Sequence, residues 1–139
     1  MKRFLFPLHR VLLYRRSRSD FEKARLIALE AELSLIRHQL DALNQSFQKE
    51  LRSVLPTPRA RAELGRYRMV IEIQSLQLNL KISEKQSQIV KQKELYVKAN
   101  QAAEVLTRLK DKQKHNWDQQ FQKELDNLAM DSYLSRWKQ

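Results

Sequence analysis

The chain has 139 residues, with 27 Lys and Arg against 16 Asp and Glu, one Gly, three Pro and no Cys, for a formal net charge of +11. A single glycine excludes a Walker phosphate loop and a dinucleotide fingerprint, which need several glycines to bring backbone amides against phosphate, and so no ATP hydrolysis by the chain itself is expected. The lack of Cys excludes disulfides, a thiolate nucleophile and Cys-ligated zinc.

With 31% charged residues and a mean hydropathy of −0.68, too little apolar surface remains for a thick globular core, and an elongated helical assembly is expected. Met1-Lys2-Arg3 followed by Phe4 to Leu13 imitates a signal peptide, yet Arg10 interrupts the apolar run and no small-residue cleavage site comes after it. A mature, cytosolic chain is expected from that start. No stretch approaches the roughly 20 apolar residues of a spanning helix, so membrane contact is expected to be peripheral.

Prolines punctuate the chain, because a helix interior tolerates none. Pro7, Pro56 and Pro58 leave two long segments, predicting an all-α fold: a long antiparallel two-helix coiled-coil hairpin, forming one domain over 1–139. Helix 1 is expected over about 8–55, the tip over about 56–65 and the longer helix 2 over about 59–137. At a rise of about 1.5 Å per residue they would measure roughly 70 Å and 120 Å. Thr57 is the expected N-cap, with Pro58 at the first helical position where its missing N–H costs nothing. Gly65 either extends the turn or sits inside helix 2 at a cost of about 1 kcal/mol relative to Ala.

In helix 1, steps of three and four pick out Leu26, Leu29, Leu33, Ile36, Leu40, Leu43 and Phe47, the a/d seam of a coiled coil. Extended backward, the frame reaches Leu12, Leu8 and Leu5 but passes through Arg15, Ser19 and Glu22, where the seam is expected to be interrupted. Ala24, Ala28, Ala31, Leu35 and Ala42 form a second stripe, small enough for close approach of another helix.

Ile71, Ile73, Leu76, Leu78, Leu80 and Ile82 show the alternation of a half-buried strand. No partner strand exists, and a lone strand is not stable, so the segment is expected to be helical. Met69, Ile73, Leu76 and Leu80 then make one stripe, expected to oppose Leu33, Leu40 and Phe47. Ile71, Leu78, Ile82 and Ile89 make a neighbouring stripe, a surplus of apolar surface suited to a second partner. Leu95, Ala99, Ala102, Leu106 and Leu109 restore a heptad frame, and Lys110 to Gln120 is polar apart from Trp117.

His9, His38 and His115 lack companions at metal-ligand spacing, and Glu30/Glu32 and Asp118/Glu124 have no cleft in a two-helix rod to shift their pKa values. Neither an enzyme, a metal site nor a cofactor is expected. Charge is uneven: residues 1–25 are net +6 and residues 56–68 net +3, whereas residues 26–55 are net −1. A basic coiled coil for nucleic acid or an anionic membrane is therefore one alternative, although no recognition motif accompanies the basic run and nucleic acid is not the expected partner. Phe4, Phe6 and Tyr14 at one end and Trp117, Phe121, Tyr133 and Trp137 at the other either plug the open end of the coil or anchor a partner.

Two motifs carry a family resemblance. The start, Phe4-x-Phe6-x-Leu8-x-x-Val11-Leu12-x-x-Arg15, resembles the opening of FliJ proteins, coiled-coil components of the bacterial flagellar type III export apparatus. Leu106-x-x-Leu109-Lys110-x-Lys112 and Lys123-Glu124-Leu125-Asp126-x-Leu128-Ala129 resemble their C-terminal region. The resemblance implies a cytoplasmic coiled coil, shaped like the γ shaft of rotary ATPases, whose joined ends enter the hexameric export ATPase FliI. It also implies docking on the gate protein FlhA and on export chaperones, and peripheral association with the inner membrane. On this reading Phe4, Phe6, Arg10, Arg15, Arg16, Arg18, Lys110, Lys112 and Trp117 would meet the ATPase. Leu40, Leu43, Phe47, Met69, Ile73, Leu76, Leu78 and Ile82, nearer the tip, would meet the gate or chaperones. An injectisome stalk protein is the neighbouring alternative and predicts the same fold.

Overall fold

The structure, a computed structural model, describes residues 3–137. Met1 and Lys2 of the basic start, and residues 138–139 of the expected 1–139 domain, lie outside the described residues. Two helices make up the regular structure, α1 (His9–Ser53, 45 residues) and α2 (Pro58–Trp137, 80 residues), with no strand among the described residues. A helical hairpin fits this order. Residues 71–82 are helical despite their alternation, because the flanking turns carry them within one long α2.

The turn between the helices is built as its residues dictate. Leu55 O accepts from Thr57 N–H at 2.8 Å, and Thr57 Oγ1 accepts from Ala60 N–H at 3.2 Å, which caps α2 at Pro58. The tip expected to reach residue 65 ends at Thr57, and Gly65 lies inside α2 without a positive φ. Arg52 and Arg136 sit in the last turns of α1 and α2, where cations complement the helix dipole.

By their contacts the described residues fall into two compact units. By their place in the sequence we call them the terminal unit, made of residues up to Asp20 with those from Val97 onward, and the central unit, Phe21–Tyr96.

In the central unit the α1 frame is as the spacing predicts: Leu33 is buried, and Leu26, Leu29, Ile36, Leu40, Leu43 and Phe47 are half-buried. Gln92 meets Glu22, Lys85 meets Glu32, and the Tyr67 ring lies 6.1 Å from that of Phe47. The α2 face is different from the expected one. Ile71 and Ile89 are buried, and Leu78 and Ile82 half-buried, whereas Met69, Ile73, Leu76 and Leu80 are each more than half exposed. Phase explains the correction. Continued along α2, the stripe of Met69 runs into Ser83, Ser87 and Glu94, while that of Ile71 runs through Ile89 to Tyr96, Ala99, Ala103 and Leu106. Ser75, Lys85 and Gln92 fall within this second stripe, yet its apolar residues recur over the greater length of α2, and a long helix settles the face that does so.

The terminal unit is centred on Phe6, Leu12 and Leu106, with Phe4 and Leu109 packed against them. Leu12 is fully buried. The expected seam interruption is corrected across both units: Ser19 and Glu22 are buried and Arg15 half-buried in the same frame, each answered from α2. In the terminal unit Arg15 Nη1 donates to Ala102 O at 3.1 Å and Ser19 Oγ to Asn100 Oδ1 at 3.5 Å. In the central unit Gln92 Nε2 donates to Glu22 O at 3.0 Å and to the Glu22 carboxylate. No buried side-chain polar atom lacks a partner among the described residues.

Candidate partner-binding surfaces

The residues assigned to ATPase contact all fall in the terminal unit, in two classes. Phe6 is buried in the core, and Phe4 packs on that core with its ring 6.1 Å from that of Trp117. Trp117 stacks on Phe121 at 5.2 Å with the planes 7° apart. These rings plug the unit. Among the cations, Arg15 turns inward to Ala102 O, and Arg16 Nη2 donates to Thr107 Oγ1 at 3.3 Å. Arg10 and Lys112 are exposed, Lys110 is half-buried, and Arg18 is exposed with a partner of its own. Arg15 is half-buried and held to α2, whereas Arg10, Arg16, Arg18 and Lys112 are exposed, Arg16 with its hydrogen bond to Thr107.

Beyond Phe121, every described residue of α2 is exposed, including Leu125, Leu128, Met130, Tyr133, Leu134 and Trp137. The Tyr133 and Trp137 rings pair at 6.1 Å on this stretch. The aromatic residues therefore divide: Phe6 is buried in the core with Phe4 packed on it and Trp117 against Phe4, while Tyr133 and Trp137 are exposed.

The gate or chaperone set falls in the central unit and also divides. Leu40, Leu43, Phe47, Leu78 and Ile82 are half-buried seam residues, whereas Met69, Ile73 and Leu76 are exposed, with Leu80 beside them. The second group offers the larger share of apolar surface outward. On α1 the stripe of Ala24, Ala28, Ala31, Leu35 and Ala42 is exposed.

An open groove of about 930 Å³ lies between Asn44, Phe47 and Leu51 of α1 and residues 61–79 of α2. The expected gate or chaperone set included two of its residues, Phe47 and Leu76, but not the rest, because the walls come from both helices. Gly65, an isolated glycine inside a helical pattern, was a further signal. The exposed ion pairs Arg59–Glu63, Arg68–Glu72 and Arg108–Glu104 are i,i+4 pairs, each worth about 0.3–0.5 kcal/mol.

No group of three or more His, Asp or Glu residues that could hold a metal occurs among the described residues. No helix among them is long and apolar enough to cross a membrane. Comparison with protein-family models, with curated proteins and with solved structures finds no match.

Proposed function

We propose that this chain is a non-enzymatic component of the bacterial flagellar type III protein export apparatus, needed for flagellum assembly and motility. It forms an antiparallel two-helix coiled coil that acts as a central-stalk-like shaft of the export ATPase FliI and as an adaptor to FlhA and export chaperones. It works in the cytoplasm, peripherally at the inner face of the membrane. The observation that carries this reading is that the opening motif and the Leu106/Leu109 motif, far apart in sequence, share one core through Phe6, Leu12, Leu106 and Leu109. Joined ends of this kind are what insertion into a ring requires.

The mechanism is positional. A rigid asymmetric coil inside a ring touches its subunits unequally, and so biases assembly or nucleotide turnover without touching nucleotide. Arg10 and Lys112 supply attraction to acidic surfaces of the lumen, and apolar residues beyond Phe121 supply area. Pull-down with purified export ATPase, with hydrolysis rates measured with and without the chain, tests the reading. Binding and a changed rate are expected; neither at low salt removes the ring role. Arg10→Glu with Lys112→Glu is expected to slow association and flatten its salt dependence, because rim charges set encounter rates.

The net charge of +11 favours one other reading, a basic coiled coil on an anionic polymer or membrane. Tight binding to duplex DNA or anionic vesicles at about 0.15 M salt, with none to the ATPase, would replace the first reading with the second. An injectisome stalk shares the fold, and neighbouring flagellar rod, motor and ATPase genes would separate the two.

A further inference from the structure

Gly65 has no structural reason to be glycine. It lies well inside α2, ends no helix and has no positive φ. A Cβ built on it meets nothing within 4 Å. Glycine is unfavourable in a helix interior, and here no internal contact offsets that. What its missing side chain leaves open is the wall of the groove between Phe47 and Leu51 of α1 and residues 61–79 of α2.

The groove's shape and charge describe an occupant. On α2 its lining recurs at 61, 64, 65, 68, 71, 72, 75, 76 and 79, one face of about five turns. Phe47, Leu51, Leu64, Ile71 and Leu76 give it apolar lining, and Arg61 and Arg68 line it as well. Arg68 already pairs with Glu72 at 3.0 Å, whereas the Arg61 guanidinium makes no ion pair among the described residues. Residues 56–68 carry four Arg against Glu63. A long apolar trough between two helices fits a third helix, and a glycine on its wall lets that helix approach closely.

We propose that this groove docks an amphipathic helix of a partner protein, apolar toward Phe47 and Leu76 and acidic along the flank that passes Arg61. A nucleic-acid strand fits less well, because much of the lining is apolar and Glu72 is part of it. The inference rests on the reading that the central unit carries a partner site, but not on which apparatus the chain serves.

The test uses the full chain and a labelled synthetic helix of about five turns. The probe has Leu at i, i+3, i+4 and i+7 and Glu on its flanks; its twin carries Lys in place of Glu. Fluorescence anisotropy at about 0.15 M salt is expected to show the acidic peptide binding at least about tenfold more tightly than the twin. Gly65→Leu, which fills the wall, and Arg61→Glu, which reverses the free cation, are each expected to weaken it by about tenfold. Lys49→Ala, exposed and outside the lining, is expected to leave it unchanged. Thermal melts followed by circular dichroism show that each variant keeps the fold, with Gly65→Ala as the milder version should Gly65→Leu unfold. Equal binding of the two peptides, or binding indifferent to Gly65→Leu and Gly65→Ala, overturns the proposal. So does self-association of the chain that Arg61→Glu abolishes, because the occupant would then be a second copy. No export component enters the assay, so failure of the flagellar reading leaves its outcome unchanged.

Discussion

The terminal and central units fill one heptad frame in different ways. In the central unit the α1 seam is apolar from Leu26 to Phe47, while its α2 side alternates Ile71, Leu78, Ile82 and Ile89 with Ser75, Lys85 and Gln92. Most of these side chains are only half-buried. In the terminal unit the frame passes through Arg15 and Ser19, yet that unit contains the fully buried Leu12 and a cluster joining Phe4, Phe6, Leu106 and Leu109. A regular apolar stripe thus marks a seam without locating its densest packing. Two helices alone cover a seam from two sides only. In the terminal unit the N-terminal segment before α1 contributes as well, with Phe6 in the buried cluster and Phe4 packed against it.

The largest expected effect tests that contrast directly. Leu12→Ala removes a fully buried side chain and is expected to cost about 2–5 kcal/mol, while Leu12→Asp unfolds the terminal unit by burying an unpaired charge. Leu33→Ala, at the most buried apolar side chain of the α1 seam in the central unit, is expected to fall at the lower end of that range. Circular dichroism melts give the stabilities. Trp117 fluorescence in a Trp137→Phe background reports on the terminal unit. If Leu33→Asp disturbs Trp117 as much as Leu12→Asp does, the two units unfold as one.

Next comes the choice of face on α2. Leu78→Ser with Ile82→Ser is expected to destabilise by about 2–4 kcal/mol, since both contribute to the seam. Leu76→Ser with Leu80→Ser is expected to stay within about 0.5 kcal/mol, because both side chains are about two-thirds exposed. Equal losses in urea unfolding would show that the outer stripe is covered as well.

That pair also shows what the sequence could reveal. The α1 frame, the cap at Thr57 and the helical state of residues 71–82 were legible, because each arises from local spacing or from a residue with one strong preference. The α2 face was not: Met69, Ile73, Leu76 and Leu80 make the more apolar local stripe, and only continuation past Ser83 and Glu94 reveals that it leads nowhere. The polar seam positions misled for a related reason. Arg15, Ser19 and Glu22 read as interruptions along one helix, and their hydrogen-bond partners Ala102, Asn100 and Gln92 lie about 70–90 residues away. At the candidate sites, charge and aromatic clustering separated one set into the terminal unit and the other into the central unit, but did not show which residues point inward.

The buried Glu22–Gln92 contact sharpens this point at smaller cost. Gln92→Ala removes the donor to both a backbone carbonyl and a carboxylate, and is expected to cost about 1–3 kcal/mol. Replacing both residues, Glu22→Leu with Gln92→Leu, is expected to restore or exceed the original stability while loosening the pairing register. A double-mutant cycle measures the first effect, and disulfide trapping between Cys pairs introduced at matched and shifted positions measures the second. Unchanged register would limit the pair to satisfying its own buried groups.

The smallest effect concerns the small residues of α2, which differ between the units. The terminal unit places Ala103 in its seam, buried to 6% exposure, where a methyl group fills space against α1. The central unit places Gly65 where an added Cβ meets nothing within 4 Å. Ala103→Gly is therefore expected to destabilise by about 1 kcal/mol or slightly more, losing both helix propensity and packing. Gly65→Ala is expected to do the opposite, raising stability by about 0.5–1 kcal/mol, because the unfolded chain loses freedom and the helix gains a better former. Paired chemical melts resolve differences of this size when run side by side. If Gly65→Ala destabilises instead, the glycine is required by the chain's own packing, and its place on the groove wall ceases to argue for an incoming helix. If it stabilises while weakening the acidic peptide, the residue holds a helix-breaking identity at a cost to the fold, and close approach by a partner is the reason.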